Sequence, residues 1–225
     1  MFSIHILKSF LNVHLLTLVI SCTVLPACAT SQTERSSQEW QLIDEDPNSP
    51  FNWSTYSRRV VGTPYREFKL SGVLNLSPER AVEVLKERTI NSEKYVSPEE
   101  GYMHVVSHAE NELVIFSVFN MPFPFRDRAM CERFTFSHDP LLKQHTIAWR
   151  EDWQACAPLE EGVIAMPVAR GSWTFVAQGQ NKSLATYIVH VHPGGRVPAW
   201  LSNLGVAQGL PMEFKKIAET AYYPN

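Results

Sequence analysis

The chain has 225 residues, 44% of them hydrophobic, and its 20 basic and 23 acidic side chains give a net charge of −3. This length fits one domain of ordinary size and suffices to bury a sizeable apolar core. Charges of both signs are mixed along the chain, and without a basic run we expect no nucleic-acid partner.

The N-terminal segment predicts export. A mostly apolar stretch follows Lys8, too short and too polar for a membrane-spanning helix, and it predicts a signal peptide over residues 1–28. It ends in LPACAT, which resembles a bacterial lipobox with Cys28 as the acylated residue and lipid anchor. The same residues also fit ordinary signal-peptide cleavage after the Ala27-x-Ala29 pattern. They fit as well an uncleaved segment that stays as a membrane anchor. We therefore expect a protein of the bacterial cell envelope, in the periplasm and either anchored or free.

The polar residues 29–39 predict a flexible tether, and we expect one folded domain over residues 40–222. Two cysteines remain in that domain, Cys131 and Cys156. In an oxidising compartment they form a disulfide if their Cα atoms approach, and otherwise they are two buried thiols.

The folded part reads as strands with two helices. Tyr65 to Leu76 alternates between polar and apolar residues, which predicts a half-buried strand. The period then changes in SPERAVEVLKERT, where Ser77 suits an N-cap and Pro78 the first helical position. Six strand candidates joined by short turns predict an antiparallel meander: Gly101–His108, Glu112–Asn120, Asp127–Ser137, Gln144–Glu151, Val168–Ala177 and Ser183–Val191.

The C-terminal segment Val197–Tyr222 predicts a long helix that Pro211 kinks or breaks. Its apolar residues fall into two stripes: Val197, Trp200, Leu201, Leu204, and then Leu210, Phe214, Ile217. A curved antiparallel sheet wrapped around one long helix is the packing that buries these faces. The fold class is therefore α+β, with core or a cavity between sheet and helix.

Three segments, in order, resemble START domains, the steroidogenic-acute-regulatory-related lipid-transfer family. FNMPFPFRDRAM (Phe119–Met130) resembles the family's PFP…RD segment, and RGSWTFVAQ (Arg170–Gln178) its G-x-W strand. HVHPGGRVPAWLSNL (His190–Leu204) resembles its Pro-Gly turn into the last helix. The chain departs from the family at His192, where Asp is usual, at Ala129, and at Phe134, where some members place a cavity arginine.

The resemblance implies a helix-grip fold with an internal hydrophobic cavity that binds a phospholipid, a fatty acyl lipid or a sterol-like molecule. It implies no catalytic residue, no cofactor and a monomer that visits membrane surfaces during ligand exchange. Strand and helix parity give the candidate lining: Leu113, Ile115, Phe119, Glu132, Phe134, Phe136, Ile147, Trp149, Phe175, Ile188, Leu201, Leu204, Leu210 and Phe214. The loop Asp152–Pro167 and the helix around Gly205–Pro211 are the expected mouth.

Several residues admit two interpretations. Glu132 either points inward among apolar groups or lies at the solvent-exposed end of its strand. Arg128 is expected to be a solvated or ion-paired surface residue, and Trp173 and Trp200 to anchor the sheet against the helix. His190 and His192 share one side of a strand, but without a third ligand at a fixed spacing we expect no metal site.

Two other functional classes stay open. A helix-grip enzyme of the cyclase or hydrolase type would use the same cavity with inward polar groups, and an envelope scaffold would have a solid interior. The size and polarity of the interior distinguish the three classes.

Overall fold

A computed structural model of the chain describes residues 39–91 and 101–222. The predicted signal peptide over residues 1–28, the lipid-anchor candidate Cys28 and nearly all of the predicted tether over residues 29–39 lie outside the described residues. The described part contains ten strands and two helices. No helix in it is both long enough and apolar enough to span a membrane.

The strands are β1 (Gln41–Asp46), β2 (Trp53–Arg58), β3 (Glu67–Leu74), β4 (Gly101–Ala109), β5 (Glu112–Phe119), β6 (Arg128–Asp139), β7 (Gln144–Glu151), β8 (Ile164–Ala165), β9 (Val168–Ala177) and β10 (Ser183–His192). The helices are α1 (Pro78–Ile90) and α2 (Ala199–Tyr222). Nine strands form one antiparallel sheet in the order β1-β2-β3-β10-β9-β7-β6-β5-β4, and β8 pairs in parallel with β6. The sheet is open, with β1 and β4 at its edges.

The predicted meander is confirmed, with strand ends within two residues of the expected ones. The edge strand β1 was not predicted, because almost all its residues are exposed and it shows no alternation of buried and exposed positions. The loop between β1 and β2 follows Asp46. In α1, the Ser77 hydroxyl accepts from the backbone N–H of Arg80 at 3.3 Å, which confirms the predicted N-cap.

Helix α2 packs against β2 and β3 of the sheet, and Phe214 lies close to β3. A side-chain carbon on Gly72 of β3 would lie 2.7 Å from the Phe214 ring, so glycine is what admits the ring here. The helix runs without interruption through Pro211, so the expected break does not form. The sheet and one long helix thus produce the predicted α+β helix-grip arrangement.

Strand β9, which contains the G-x-W segment, also has a glycine that admits an aromatic ring. A side-chain carbon on Gly171 would lie 2.3 Å from the carbonyl oxygen of Ile188 and 2.4 Å from the Trp149 ring. Two residues later, Trp173 is fully buried. The glycine therefore makes room for one tryptophan while its strand supplies another.

Candidate ligand-binding site

The interior beneath α2 is apolar and contains most of the predicted lining residues. Nine of them belong to one buried core cluster: Leu113, Ile115, Phe119, Phe134, Ile147, Trp149, Phe175, Leu210 and Phe214. Phe136 is partly buried and packs against that cluster, and the Lys86 ammonium lies 4.1 Å from the centre of its ring. These residues come from four neighbouring strands and from α2, so the curved sheet does bring them to one face.

Three predicted lining residues do not belong to that cluster. Ile188 alternates with the inward-facing Tyr187 and Val189, so it lies on the outer face of β10 and its predicted inward position is wrong. Leu201 and Leu204 are only half-buried.

The predicted stripe on the first turns of α2 is offset from the buried face. Trp200, expected to anchor the helix, is 63% exposed. The buried residues of this part of the helix include Ser202 and Val206, and farther along Glu213 and Ile217. Apolar residues lie on more than one face of the first turns, so periodicity alone does not fix which face is buried.

An aromatic stack forms the centre of the interior. The rings of Trp173 and Tyr187 are parallel within 1° with centroids 4.4 Å apart, and Phe175 continues the stack at 5.7 Å from Trp173. Phe214 of α2 approaches Trp173 with centroids 6.2 Å apart. This stack joins the sheet to the helix, as predicted for Trp173 but not for Trp200.

A cleft of about 640 Å³ lies at the surface, and its lining is partly polar. It lies between the β1–β2 loop and the second half of α2, and its lining includes Phe51, Trp53, Pro211 and Met212. The Phe51 ring contacts Phe214 edge-on, with centroids 6.1 Å apart, so the floor of the cleft borders the buried core. Pro211 was predicted to lie at the mouth, whereas the contribution of the β1–β2 loop was not predicted.

Glu132 points into this interior. Its side chain is buried, between Ile115 of β5 and Glu151 of β7 in the strand register. Burial raises the pKa of the Glu132 carboxyl to about 8, and the negative charge of Glu151 adds to the rise. The inward interpretation is therefore correct, and Glu132 is protonated in most molecules at neutral pH.

Two further polar residues of the interior were not predicted. Glu213 of α2 is buried, and its Oε2 atom has no hydrogen-bond partner among the described residues. Burial raises the pKa of Glu213, and it raises the pKa of Tyr187, where the charges of Glu213 and Glu132 act in the same direction. Glu132, Tyr187 and Glu213 thus bring three polar groups into one largely apolar interior. Glu213 stands directly before Phe214 in a helix with an apolar face. That position gives no sequence signal that the Glu213 side chain is buried.

The structure contradicts the expected surface position of Arg128. Its side chain is buried, and its Nε atom donates to the Pro193 carbonyl at 2.7 Å. Nη1 donates to the Arg126 carbonyl and Nη2 donates to that of Gly194 at 3.4 Å. The guanidinium therefore fastens the start of β6 to the turn after β10. Backbone carbonyls accept the hydrogen bonds of the guanidinium, and the sequence gives no sign of such partners.

The Pro-Gly-Gly turn that receives Arg128 has left-handed backbone at Gly194 (φ 67°) and Gly195 (φ 61°), which favours glycine. His192 accepts a hydrogen bond from the Gly194 N–H through Nδ1 at 2.9 Å. Its ring also lies 4.0 Å from that of Tyr65. The imidazole thus supplies the side-chain acceptor that Asp would supply at the start of this turn. His190 and His192 lie on the outer face of β10, and the described residues contain no metal-binding group of three His, Cys, Asp or Glu side chains.

Cys131 and Cys156 form a disulfide with their Cα atoms 6.2 Å apart. Sequence left this pairing open. The bond ties the loop after β7, which is the expected mouth segment Asp152–Pro167, to β6.

Comparison with known proteins agrees with this geometry. No protein-family model matches the chain. An uncharacterized protein of Pseudomonas aeruginosa is 26% identical over 190 residues, which cover 82% of this chain and 88% of that protein. A crystal structure of a STAR-related lipid transfer protein fragment from Xanthomonas axonopodis matches with a TM-score of 0.70 at 24% identity, covering 82% of this chain and 99% of that one.

Human STARD10 matches with a TM-score of 0.68 at 17% identity, covering 89% of this chain and 82% of that one. The lipid transfer and protein localization domain of human StarD13 gives 0.63 at 19% identity, covering 90% and 100%. The chain therefore has the helix-grip fold of START domains, as the three sequence segments predicted.

Proposed function

We propose that this protein binds a hydrophobic ligand between the sheet and α2 without chemically changing it, and that it transfers the ligand between membranes of the cell envelope. The observation that carries the proposal is the cleft beside Pro211 and Met212, whose floor borders the apolar interior through Phe51 and Phe214. Each methylene buried there contributes about 0.8 kcal/mol, so an acyl chain or a sterol-like body needs no catalytic group to be held.

The interior also offers a defined place for the polar end of such a ligand. A protonated Glu132 carboxyl donates one hydrogen bond and accepts others, and Tyr187 and Glu213 lie in the same interior region. A ligand with a hydroxyl or carboxyl head and a long apolar body matches this arrangement. The predicted lining on β5, β6, β7 and β9 would then contact the apolar body.

Uptake of a fluorescent fatty acid and a fluorescent phospholipid by the full-length protein tests the proposal. We expect Met212→Lys, at a position 47% exposed on the cleft rim, to lower uptake about tenfold. The cleft is also lined by the charged Asp46, Lys215 and Glu219, and the variant replaces one of its few apolar contacts by a further charge. The matched control is Leu142→Lys, at an exposed position between β6 and β7, which should leave uptake unchanged. No uptake of either probe by the wild-type protein, or equal loss in both variants, would contradict the proposal.

A second candidate function follows from the same three polar groups. A helix-grip enzyme would use Glu132, Tyr187 and Glu213 as inward acid–base groups on a bound substrate. Mass analysis of the probe after uptake separates the two: we expect it unchanged, whereas a new mass would identify an enzyme.

We also propose that the protein is exported and held at a membrane through acylated Cys28. The Cys131–Cys156 disulfide supports an oxidising compartment. We expect intact-mass analysis of the membrane fraction to give a chain that begins at Cys28 and carries lipid. An unmodified chain cleaved after Ala29 would reject the anchor and leave export intact.

A further inference from the structure

A row of polar side chains crosses the outer face of the sheet on four neighbouring strands. Arg58 of β2 lies opposite Glu67 of β3. Glu67 lies opposite His190 of β10, which in turn lies opposite Arg170 of β9. Side chains in directly opposite register project from the same face of a sheet. His190 alternates with the inward-facing Val189, so these four side chains, which we call the outer row, point away from the apolar interior.

A pocket of about 340 Å³ opens over the outer row. Its lining adds Arg59, Val60 and Val61 of the β2–β3 connection to the four side chains of the row. Three arginines against one glutamate give this pocket an excess of two positive charges, although the chain as a whole carries −3. A recess with an excess of one sign of charge concentrates ions of the opposite sign. The pocket therefore favours an anionic ligand.

The three arginines keep hydrogen-bond donors for such a ligand. Arg58 uses Nε and Nη2 for Glu67, at 2.5 Å each, which leaves its Nη1 group. Arg170 uses Nη2 for Glu151 at 2.9 Å, which leaves Nε and Nη1. Arg59 is exposed and, within the described part of the chain, takes part in no salt bridge, so its whole guanidinium is available.

His190 is the buried member of the outer row. It is only 8% exposed, yet it contributes to the lining of the pocket. Its Nδ1 atom lies 3.3 Å from the carbonyl oxygen of Arg66. Because a carbonyl oxygen can only accept, Nδ1 carries a proton in this contact, and the contact fixes the orientation of the ring. Nε2 is thus the ring nitrogen that remains for a ligand.

We propose that this pocket binds the phosphate group of a small phosphorylated molecule. Guanidinium groups bind phosphate oxygens through charge-assisted hydrogen bonds. Donors that arrive from the β2–β3 connection and from β9 match a tetrahedral group with three free oxygens better than a flat carboxylate with two. Nε2 of His190 accepts from a protonated phosphate oxygen, or donates to an ionised one when the imidazole is protonated. Val60 and Val61 contact the apolar part of the molecule.

The site is separate from the interior between the sheet and α2, since the two lie on opposite faces of the sheet. The inference therefore goes beyond the proposed function, and either can fail without the other.

Isothermal titration calorimetry of the full-length protein with phenyl phosphate tests the inference. We expect a dissociation constant on the order of 1 mM that rises with added salt, and at least about tenfold weaker binding of benzoate, which joins the same ring to a carboxylate. Arg59→Gln and Arg170→Gln should each weaken phenyl phosphate binding about fivefold, and His190→Asn about tenfold. Asparagine can still donate to the Arg66 carbonyl, so His190→Asn removes Nε2 and keeps that hydrogen bond.

The matched control is Arg80→Gln in α1. Like Arg170, Arg80 is an arginine in a surface salt bridge, with its side chain 43% exposed and Nη1 3.0 Å from Glu83, but it does not line the pocket. We expect this variant to bind phenyl phosphate like the wild type, and Arg59→Gln to take up the fluorescent lipids like the wild type. Three results would each overturn the inference: no binding of phenyl phosphate, equal binding of benzoate, or a loss with Arg80→Gln as large as that with Arg170→Gln.

Discussion

Replacing Glu132 by glutamine should stabilise the domain by about 3 kcal/mol at neutral pH. The pKa of the carboxyl is about 8 in the folded protein and near 4.5 in the unfolded chain. Each unit of difference corresponds to about 1.4 kcal/mol. Glutamine has nearly the same shape as the protonated acid and carries no charge at any pH, so it removes this cost.

The pH dependence has a defined sign. A carboxyl whose pKa is raised by folding contributes its full stability below pH 4.5 and loses it as pH rises toward 8, because the unfolded chain releases its proton first. Urea unfolding at a series of pH values should therefore show wild-type stability falling between these limits. The curves of the wild type and Glu132→Gln should meet near the acid limit and diverge as pH rises.

A matched control is Glu110→Gln, an exposed glutamate in the turn after β4. This variant should follow the wild-type curve at every pH. Parallel curves for the wild type and Glu132→Gln would mean that the carboxyl is solvated. The same variant informs the proposed function: if the carboxyl receives the polar end of a ligand, the choice of bound lipid should change even though the domain is more stable.

Periodicity predicted the strands and helices of this domain well, because these elements depend on the alternation of polar and apolar residues and on turns. The six meander strands and the N-cap at Ser77 follow from local sequence, and three short segments were sufficient to indicate the helix-grip fold. Local sequence did not predict β1, whose exposed residues show no alternation and whose order comes from pairing with β2. Trp200 was predicted as an anchor because it is large and apolar, yet its side chain faces solvent on the first turn of α2.

The candidate site was predicted less completely, and the reason is geometric. The parity argument identified Phe134, Trp149 and Glu132 because a strand alternates faithfully. It failed at Ile188, because a shift of one residue in the alternation assigned to β10 places the side chain on the opposite face of the sheet. Glu213 had no signal, since burial of a lone glutamate depends on which face of α2 packs against the sheet and not on its neighbours in sequence.

Replacing Arg128 by methionine should destabilise the domain by about 4 kcal/mol. The guanidinium donates to the carbonyls of Pro193, Gly194 and Arg126, and methionine leaves these acceptors without that donor while keeping similar bulk. Each hydrogen bond to a charged group contributes about 1.5–3 kcal/mol, and release of the buried charge offsets part of the sum. Arg128→Lys should recover about half of the loss, because one ammonium keeps the charge but cannot reach all three carbonyls in the same geometry.

Arg126→Met is the control, two residues away with its side chain at the surface, and it should cost less than about 1 kcal/mol. Chemical denaturation of the three variants measures these differences directly. If Arg128→Met and Arg126→Met were equally mild, the guanidinium would not hold the turn after β10 to β6.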